Sequence, residues 1–160
     1  MKPILYIMVA VPGSGKSWYA TNKLMRCSHM AYISRDKIRF SMVGDDERYF
    51  VHEKEVYKEY IKRIVDALND GMDVIADATH ITWASRRKLL TSIDKFYPIE
   101  NIDVIPVIIH CSYEKLLERN NKREGRECVP ESTIKRMYDH QSNPHKDKFN
   151  YLAFLEVDNN

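Results

Sequence analysis

The most constraining feature of the sequence is a glycine-rich turn that directly follows an apolar run. Ile4 to Val11 form the run, and Pro12-Gly13-Ser14-Gly15-Lys16-Ser17 follows at once. A continuous apolar run that ends in a glycine-containing turn is typical of a buried strand in a parallel sheet. The residues from Ser17 to about Arg26 favour a helix. The chain is therefore expected to begin with a strand, a tight turn and a helix.

The turn matches the spacing of a P-loop over residues 10 to 17, with alanine at the first position, where glycine is commoner. Gly13 and Gly15 would let successive N–H groups around Ser14 point at a phosphate. Lys16 would reach the outer phosphates of a nucleoside triphosphate, and Ser17 would hold Mg²⁺. A chance glycine-rich turn is the alternative, and the flanking strand and helix disfavour it.

Along the whole chain, short apolar runs alternate with amphipathic segments. This alternation predicts an α/β fold, in which a parallel sheet of about four to five strands is flanked by crossover helices. The predicted strands cover residues 4–11, 31–34, 73–77, 102–109 and 151–157. The predicted helices cover residues 17–26, 36–42, 47–69, 83–96, 112–123 and 130–140. We expect Thr82 to cap the helix that starts at Trp83, and Pro106 to lie at a bulge or near the sheet edge.

Composition narrows the class of protein further. A length of 160 residues suits one domain, over residues 1–160, and a net charge of +2 with 44% hydrophobic and 30% charged residues excludes a disordered chain. No segment approaches the roughly 18 apolar residues of a membrane helix. Cys27, Cys111 and Cys128 are widely separated, without zinc or disulfide spacing, which favours a reducing cytoplasm.

Several classes of P-loop protein lack support in the sequence. GTPases need an N-K-x-D base reader, and both Asn-Lys pairs of the chain, at residues 22–23 and 121–122, lack the final aspartate. Multi-domain ATPase motors need a longer chain. The sequence therefore favours a small phosphotransferase, whose acceptor site lies over the carboxyl ends of the strands.

Candidate acceptor-binding residues follow the second predicted strand. Arg35 and Asp36 come directly after it, and Arg39 lies one helical turn later. Asp36 could take the proton from an acceptor hydroxyl, as carboxylates do in phosphoryl transfer, or it could cap the next helix. Arg39 could bind an anion beside that carboxylate.

A second polar strand end lies at residues 77 to 80. Asp77 ends an apolar strand, where many P-loop proteins carry a magnesium-associated carboxylate, and Thr79 follows it. His80 is weak as a catalytic candidate, because a lone histidine is more often packed or solvated. The run Arg86-Arg87-Lys88 is expected to contain both site-facing and solvated charges.

The densest cluster of charge after the P-loop covers residues 119 to 126. A charge run is usually a solvated surface, but this one follows the helix after the fourth predicted strand. That position favours a mobile lid over about 119–129, in which Arg119, Arg123 and Arg126 would approach the triphosphate. An arginine in such a role is typically worth about 10³ or more in rate.

Together these segments resemble the kinase domain of the T-even phage 5′-hydroxyl polynucleotide kinases, over roughly residues 3 to 140. The matching elements are Pro-Gly-Ser-Gly-Lys-Ser at 12 to 17, Arg-Asp-x-x-Arg at 35 to 39, Asp-x-Thr at 77 to 79, Arg-Arg at 86 to 87, Arg-Asn-x-Lys-Arg at 119 to 123, and Val-Pro-x-x-x-Ile-x-x-Met-Tyr at 129 to 138. The resemblance implies an adenylate-kinase-like fold with a lid, and transfer of the ATP γ-phosphate to the 5′-hydroxyl end of DNA or RNA.

The resemblance also implies residue roles. It makes Asp36 the general base, Arg39 the contact with the acceptor's first phosphate, Arg123 the lid arginine and Val129 a contact with the terminal nucleobase. Arg35, Asp77, Thr79 and Arg86 would belong to the acceptor side, and Arg119 and Arg126 to the nucleotide side. Glu124 is inserted before Gly125, which leaves Arg123 and Arg126 both open as the lid arginine. The D-x-D-x-T motif of the phage 3′-phosphatase is missing, so a kinase acting alone is expected.

Two alternatives stay open at this point. Related P-loop kinases phosphorylate small hydroxyl compounds, and a regulatory module could bind a nucleotide without transferring phosphate. Asp36 and the basic lid disfavour the second, because a switch needs no acceptor base. The low net charge conceals two basic segments, with nine Lys/Arg against six Asp/Glu over 115–148 and four against one over 82–95. They predict salt-sensitive binding directed at strand ends.

Overall fold

A computed structural model describes residues 1–44 and 46–160. It contains one parallel sheet of five strands in the order β2-β3-β1-β4-β5. The strands are β1 (Ile4–Val9), β2 (Met30–Ser34), β3 (Asp73–Asp77), β4 (Asp103–His110) and β5 (Leu155–Asp158). The predicted α/β fold with a parallel sheet is confirmed.

Helices connect the strands. They are α1 (Lys16–Tyr19), which continues into a π-helical turn at Ala20–Leu24, α2 (Arg35–Met42), α3 (Glu53–Asn69), α4 (Trp83–Asp94), α5 (Tyr113–Asn121) and α6 (Glu131–Asp139). Short 3₁₀ turns lie at Ile99–Asn101, Gly125–Glu127 and Pro144–Lys146. Thr82 caps α4 as predicted, because its hydroxyl accepts the N–H of Ser85 at 3.1 Å. Within residues 1–44 and 46–160, none of the helices has both the length and the apolarity to cross a bilayer.

The long helix after α2 begins later than the sequence predicted. It starts at Glu53 and not at Glu47, and the described residues before it form turns, one of which is closed by the N–H of Val51 on Arg48 O at 3.1 Å. The physical reason is that Tyr49 and Phe50 pack on the Arg39 side chain and do not continue the apolar face of α3. The last strand also differs from the prediction, which covered residues 151–157, because it forms only at Leu155–Asp158.

Pro106 lies near the sheet edge, which is one of the two positions that the sequence predicts for it. β4 lies between β1 and β5, with Pro106 opposite Ile7. Asp103 donates its N–H to Pro3 O on the β1 side, so alternation directs the nitrogen of Pro106 toward β5. The β4–β5 ladder starts only at Val107, one residue later. Proline is tolerated here because no hydrogen bond needs its missing N–H.

The sheet is buried on both faces, which explains the continuous apolar run of β1. Leu5, Ile7 and Val9 belong to the core that α3 and α4 cover, whereas Met8 packs with Ala20 on the opposite side. Side chains alternate between the faces of a strand, so burial on both faces requires apolar residues at successive positions.

A buried ion pair joins α4 to the segment after α6. The Arg86 side chain is 0% exposed, and its Nε and Nη2 donate to the two carboxylate oxygens of Asp147 at 2.6 and 2.9 Å. Arg86 also donates to His80 O at 2.8 Å and to Ser142 O at 3.0 Å, and the hydroxyl of Tyr151 donates to Asp147 at 2.6 Å. The expectation that Arg86 binds the acceptor is therefore wrong: its guanidinium is buried and bound to protein groups.

We expect the substitution Arg86→Leu to lower the free energy of unfolding by about 3–5 kcal/mol, because it leaves the Asp147 carboxylate buried without its cation. Urea unfolding followed by circular dichroism measures this loss. Lys135→Leu serves as the control, since Lys135 pairs with Asp139 on the exposed face of α6 and its removal should leave the midpoint unchanged. A midpoint for Arg86→Leu equal to that of the control would contradict the assignment.

Candidate active site

The carboxyl ends of three neighbouring strands bring distant parts of the sequence together. The turn after β1 is the P-loop, β2 leads into Asp36, and β3 ends at Asp77. Ser34 lies opposite Asp77 in the β2–β3 register, and Ala10 donates its N–H to Thr79 O at 3.0 Å. The candidate donor and acceptor residues therefore lie at one edge of the sheet, where parallel α/β proteins bind ligands.

The P-loop has the backbone conformation that its glycines permit. Gly13 and Gly15 have φ angles of +90° and +86°, in the region where side chains are strained. A Cβ atom at Gly13 would lie 2.8 Å from Leu116 O, so larger residues are excluded there. Between the glycines, the buried hydroxyl of Ser14 has no hydrogen-bond partner among the described residues. The turn thus keeps its backbone close to the neighbouring helix α5.

A buried carboxylate connects the P-loop to the sheet. Asp77 accepts from Lys16 Nζ at 2.9 Å and from Ser17 Oγ at 2.7 Å, and the hydroxyl of Tyr32 donates to the same carboxylate. Burial alone would raise the pKa of Asp77, but the Lys16 ammonium and the hydroxyl donors together lower it below its usual value. Burial and the neighbouring carboxylate raise the pKa of Tyr32. Asp77 is therefore ionised at neutral pH, and Tyr32 keeps its proton.

The same residues fit a magnesium ion. The Ser17 hydroxyl and the Asp77 carboxylate place hard oxygen donors 2.7 Å apart at the start of α1. Mg²⁺ is usually bound by one or two protein oxygens together with phosphate oxygens and water. Ser17, predicted from the P-loop pattern, and Asp77, predicted from the end of the third strand, therefore lie next to each other in the fold.

Arg119 lies beside the P-loop, and its guanidinium holds main-chain groups. Its Nη1 donates to Ser14 O at 3.1 Å and its Nη2 to Asn159 O at 2.7 Å. Asn159 itself donates to Ser14 O at 2.7 Å. Sequence analysis missed Asn159, because its role depends on β5 lying beside β4. Nothing near position 159 in the sequence indicates that placement.

On the acceptor side, the structure separates the two roles that the sequence left open for Asp36. Ser34 caps α2, since its hydroxyl accepts the N–H of Lys37 at 3.2 Å. Asp36 is therefore not the capping residue, and its side chain is 55% exposed. It forms an ion pair with Arg39, whose own side chain is buried. A half-exposed carboxylate with a fixed cation beside it can approach an acceptor hydroxyl.

Arg39 is held on its other edge by a residue that sequence analysis missed. Glu53, the first residue of α3, accepts from Arg39 Nε at 2.7 Å and from Nη2 at 3.0 Å. The hydroxyl of Tyr49 lies 3.4 Å from Asp36 Oδ1. The contact between α2 and α3 that places Glu53 here involves residues 14 positions apart, so only the fold could assign it.

The remaining acceptor-side candidates lie around this centre. Arg35 stacks on Tyr57, with 4.9 Å from Cζ to the ring centroid, and its Nη2 lies 3.7 Å from Glu53 Oε2. The carbonyl of Thr79 accepts the N–H of Ala10, at the start of the P-loop. Val129 is half-buried, and Asn120 binds both its N–H, at 2.9 Å, and its carbonyl, at 2.6 Å. The fold thus fixes the backbone of Val129 at the end of the predicted lid.

His80 is a packed residue. It is 3% exposed, has a φ angle of 44°, and its Nε2 lies 3.0 Å from the hydroxyl of Tyr60. Burial, together with the charges of Arg35 and Lys16, lowers the pKa of His80 to about 3. The imidazole is therefore neutral at physiological pH, in agreement with its weakness as a catalytic candidate.

The two candidate lid arginines have different surroundings. Arg126 donates to the carbonyls of Val43 and Gly44, the first at 3.3 Å, and so binds the segment that follows α2. Arg123 is exposed, and its one hydrogen bond among the described residues is a 3.5 Å contact with Glu127 O. The predicted lid segment therefore contacts the chain after α2 through Arg126. The guanidinium of Arg123 is more accessible to a ligand than that of Arg126.

Residues 5–144 match the AAA_33 family model, which describes an AAA domain. The chain belongs to this AAA domain family. Its five-stranded parallel sheet flanked by helices is the P-loop kinase fold of the AAA_33 domain. No curated protein matches the sequence.

Solved structures share the fold of this AAA_33 domain. One belongs to the Pnkp1/Rnl/Hen1 RNA repair complex, with a TM-score of 0.76, 24% identity, and coverage of 94% of this chain and 47% of that chain. A gluconokinase from Sinorhizobium meliloti 1021 has a TM-score of 0.59, 20% identity, and coverage of 98% and 83%. A fungal RNA kinase has a TM-score of 0.59, 15% identity, and coverage of 99% and 75%. The chain spans slightly less than half of the matched chain in the repair complex.

The buried neutral His80 makes a prediction for stability against pH. Its pKa in the fold, about 3, lies below the value of about 6.5 in an unfolded chain, so the unfolded state takes up the proton first as the pH falls. This contribution to stability is complete above pH ~6.5 and is lost progressively below it. Asparagine tolerates a positive φ angle, and its side chain does not take up a proton between pH 7.5 and 5. We therefore expect His80→Asn to weaken the fall in unfolding free energy between pH 7.5 and 5, measured by urea titration. Equal slopes in both proteins would contradict this account.

Proposed function

We propose that this chain transfers the γ-phosphate of ATP to the 5′-hydroxyl end of DNA or RNA. The observation that carries the proposal is the Asp36–Arg39 ion pair, at the same sheet edge as the P-loop. A carboxylate that can accept a proton, next to a fixed guanidinium that can bind an anion, suits a hydroxyl followed by a phosphate. The resemblance of these residues to the phage polynucleotide kinases supports the same acceptor, as does the shared fold of the RNA repair complex.

On the donor side, the N–H groups of the P-loop around Ser14 and the ammonium of Lys16 would hold the triphosphate. Ser17 and Asp77 would hold Mg²⁺, which when bound neutralises charge on the phosphates. The Lys16 ammonium lies 2.9 Å from Asp77, so a buried carboxylate fixes its position beside the P-loop. Preorganised charges of this kind are the main source of rate in phosphoryl transfer.

On the acceptor side, the oxygen of the 5′-hydroxyl bonds to the γ-phosphorus while Asp36 accepts the hydroxyl proton. The bond between the γ-phosphorus and the β,γ-bridging oxygen breaks, and ADP is released. Arg39 fixes the neighbouring phosphate of the acceptor. Glu53 acts as a positioning residue, because it binds the Nε–Nη2 edge of the Arg39 guanidinium and leaves Nη1 directed toward Asp36. This arrangement holds the hydroxyl in place and provides for its proton.

One other acceptor class and one function without transfer are the alternatives to this proposal. The fold is shared with a gluconokinase, and a sugar acid also presents a hydroxyl and an anion to an Asp–Arg pair. A nucleotide-binding module without transferase activity would need no Asp36. The first experiment therefore compares 5′-hydroxyl DNA and RNA oligonucleotides with gluconate as acceptors for γ-labelled ATP.

We expect label on the oligonucleotides, and we expect Asp36→Asn to reduce kcat by about 10²–10⁴, because the amide cannot take the proton. ATP affinity, measured by calorimetry, should stay within about twofold of the unmodified protein, since Asp36 lies outside the P-loop. Asp66→Asn, an exposed carboxylate on α3 that pairs with Lys62, is the matched control and should leave kcat unchanged. Label on gluconate alone, or no transfer to any hydroxyl, would overturn the proposal.

We expect replacement of the two candidate lid arginines to have different effects on kcat and KM. We expect Arg123→Ala to lower kcat by about 10³, as is typical for an arginine that stabilises the transferring phosphoryl group. Arg126→Ala should mainly raise KM for the acceptor, because Arg126 holds the main chain after α2. Steady-state kinetics with varied ATP and varied oligonucleotide separate these effects. A loss of kcat confined to Arg126→Ala would exchange the two roles.

A further inference from the structure

An aromatic cluster lies between α2 and α3, and the proposed reaction does not use it. The rings of Tyr49 and Phe50 meet edge to face with centroids 4.6 Å apart, and the Phe40 ring lies 5.7 Å from Tyr49. Phe50 is 64% exposed, and the adjacent Val51 is 50% exposed. Large apolar side chains that cluster on the surface mark sites of interaction more often than isolated ones do.

This cluster is attached directly to the proposed acceptor site. The Arg39 guanidinium carbon lies 5.0 Å from the centroid of the Tyr49 ring and 5.2 Å from that of the Phe50 ring, within the range of cation–π contacts. The same guanidinium pairs with Asp36. One guanidinium therefore contacts both the proposed base and the rings of Tyr49 and Phe50.

The described residues 43–44 and 46–52, which carry Tyr49 and Phe50, are held from both sides, and none of them belongs to a helix or a strand. Arg126 binds the carbonyls of Val43 and Gly44, and His52 Nε2 lies 2.7 Å from Glu47 Oε2. Glu47 also accepts the N–H of Gly44 at 3.1 Å. A ring that is ordered before binding loses little conformational entropy when a ligand stacks on it.

We propose that the exposed face of Phe50 is a stacking platform for a nucleobase of a single-stranded acceptor, on the 3′ side of the phosphate that Arg39 binds. The inference rests on the proposed function and adds a substrate class to it. Along a nucleic acid strand, anionic phosphates alternate with flat aromatic bases. Arg39 and Phe50 repeat that alternation as a cation followed by a ring.

The position of Phe50 makes this inference specific. Asp36 and the Phe50 ring each contact the Arg39 guanidinium. In the proposed arrangement the terminal nucleotide, whose hydroxyl reaches Asp36, does not use the platform. Phe50 should therefore matter for acceptors of two or more nucleotides, and not for a nucleoside 3′-monophosphate. A duplex end keeps its bases paired and stacked on each other, so single strands are favoured. A sugar acid has no planar face for the ring.

The test measures kcat/KM for a 5′-hydroxyl trinucleotide, as DNA and as RNA, and for a nucleoside 3′-monophosphate. Stacking on an aromatic side chain is worth about 1–3 kcal/mol per base, so Phe50→Ala should lower kcat/KM for the trinucleotide by about 5- to 150-fold, through KM. Phe50→Leu should lower it similarly, and Phe50→Tyr should restore it. Phe96→Ala, which removes a 70% exposed ring after α4, is the matched control and should have no effect.

A direct readout uses trinucleotides with 2-aminopurine as the second base, whose fluorescence falls when the base stacks on a ring. We expect quenching by the unmodified protein and by Phe50→Tyr, and a loss of quenching with Phe50→Ala and Phe50→Leu. Effects on the DNA trinucleotide, the RNA trinucleotide or both then identify which strands use the platform.

The outcomes separate the two proposals. Phosphorylation of trinucleotides by the unmodified protein, with no effect of Phe50→Ala, would overturn the platform alone, and the ring would then serve a protein partner. Equal losses for the monophosphate and the trinucleotide would also overturn it, because Phe50 would then act only by holding Arg39. Failure of the unmodified protein to phosphorylate any of these acceptors would overturn the proposed function and the platform with it.

Discussion

The buried carboxylate of Asp77 is the interaction on which the rest of the structure depends. An unpaired charge in this position would cost several kcal/mol, and the cost is offset by the ammonium of Lys16 and the hydroxyls of Ser17 and Tyr32. Those partners come from the P-loop helix and from β2, so one carboxylate joins the phosphate-binding turn to the two strands on its side of the sheet. The pKa of Asp77 is lowered by the same contacts, which keeps the charge in place at neutral pH.

The acceptor side is built around Arg39 in a comparable way. Its guanidinium is shared between Asp36, which is exposed enough to meet a ligand, and Glu53, which is the first residue of α3. The aromatic rings that cover Arg39 explain why residues before Glu53 leave the helix that their sequence favours. Local helical preference is a few tenths of a kcal/mol per residue, and packing on a buried cation exceeds it. The lid then contacts this unit through Arg126.

Arginines show most clearly where sequence reasoning stops. Arg39, Arg86 and Arg119 were all expected to face ligands, on the basis of motif position alone. The structure buries Arg86 against Asp147 and places Arg119 on the carbonyl of Ser14, whereas Arg39 lies beside an exposed carboxylate. A guanidinium has the same charge and the same five donors in each case. Only its partners distinguish a structural role from a proposed binding role, and Asp147 and Ser14 lie 61 and 105 positions from their arginines in the sequence.

The sequence by itself determined the features that depend on neighbouring residues. They include the strand, turn and helix around Gly13 and Gly15, the cap at Thr82, the parallel sheet implied by alternating segments, and the candidate ligands Ser17 and Asp77. Local backbone sterics and side-chain period act within a few residues, so they can be recognised in a linear chain. The tertiary structure alone decided that Ser34, and not Asp36, caps α2. It also decided which carboxylates pair with Arg39 and Arg86, and it brought Asn159 to the P-loop. These outcomes depend on strand order and helix packing, which bring together groups that no local pattern connects.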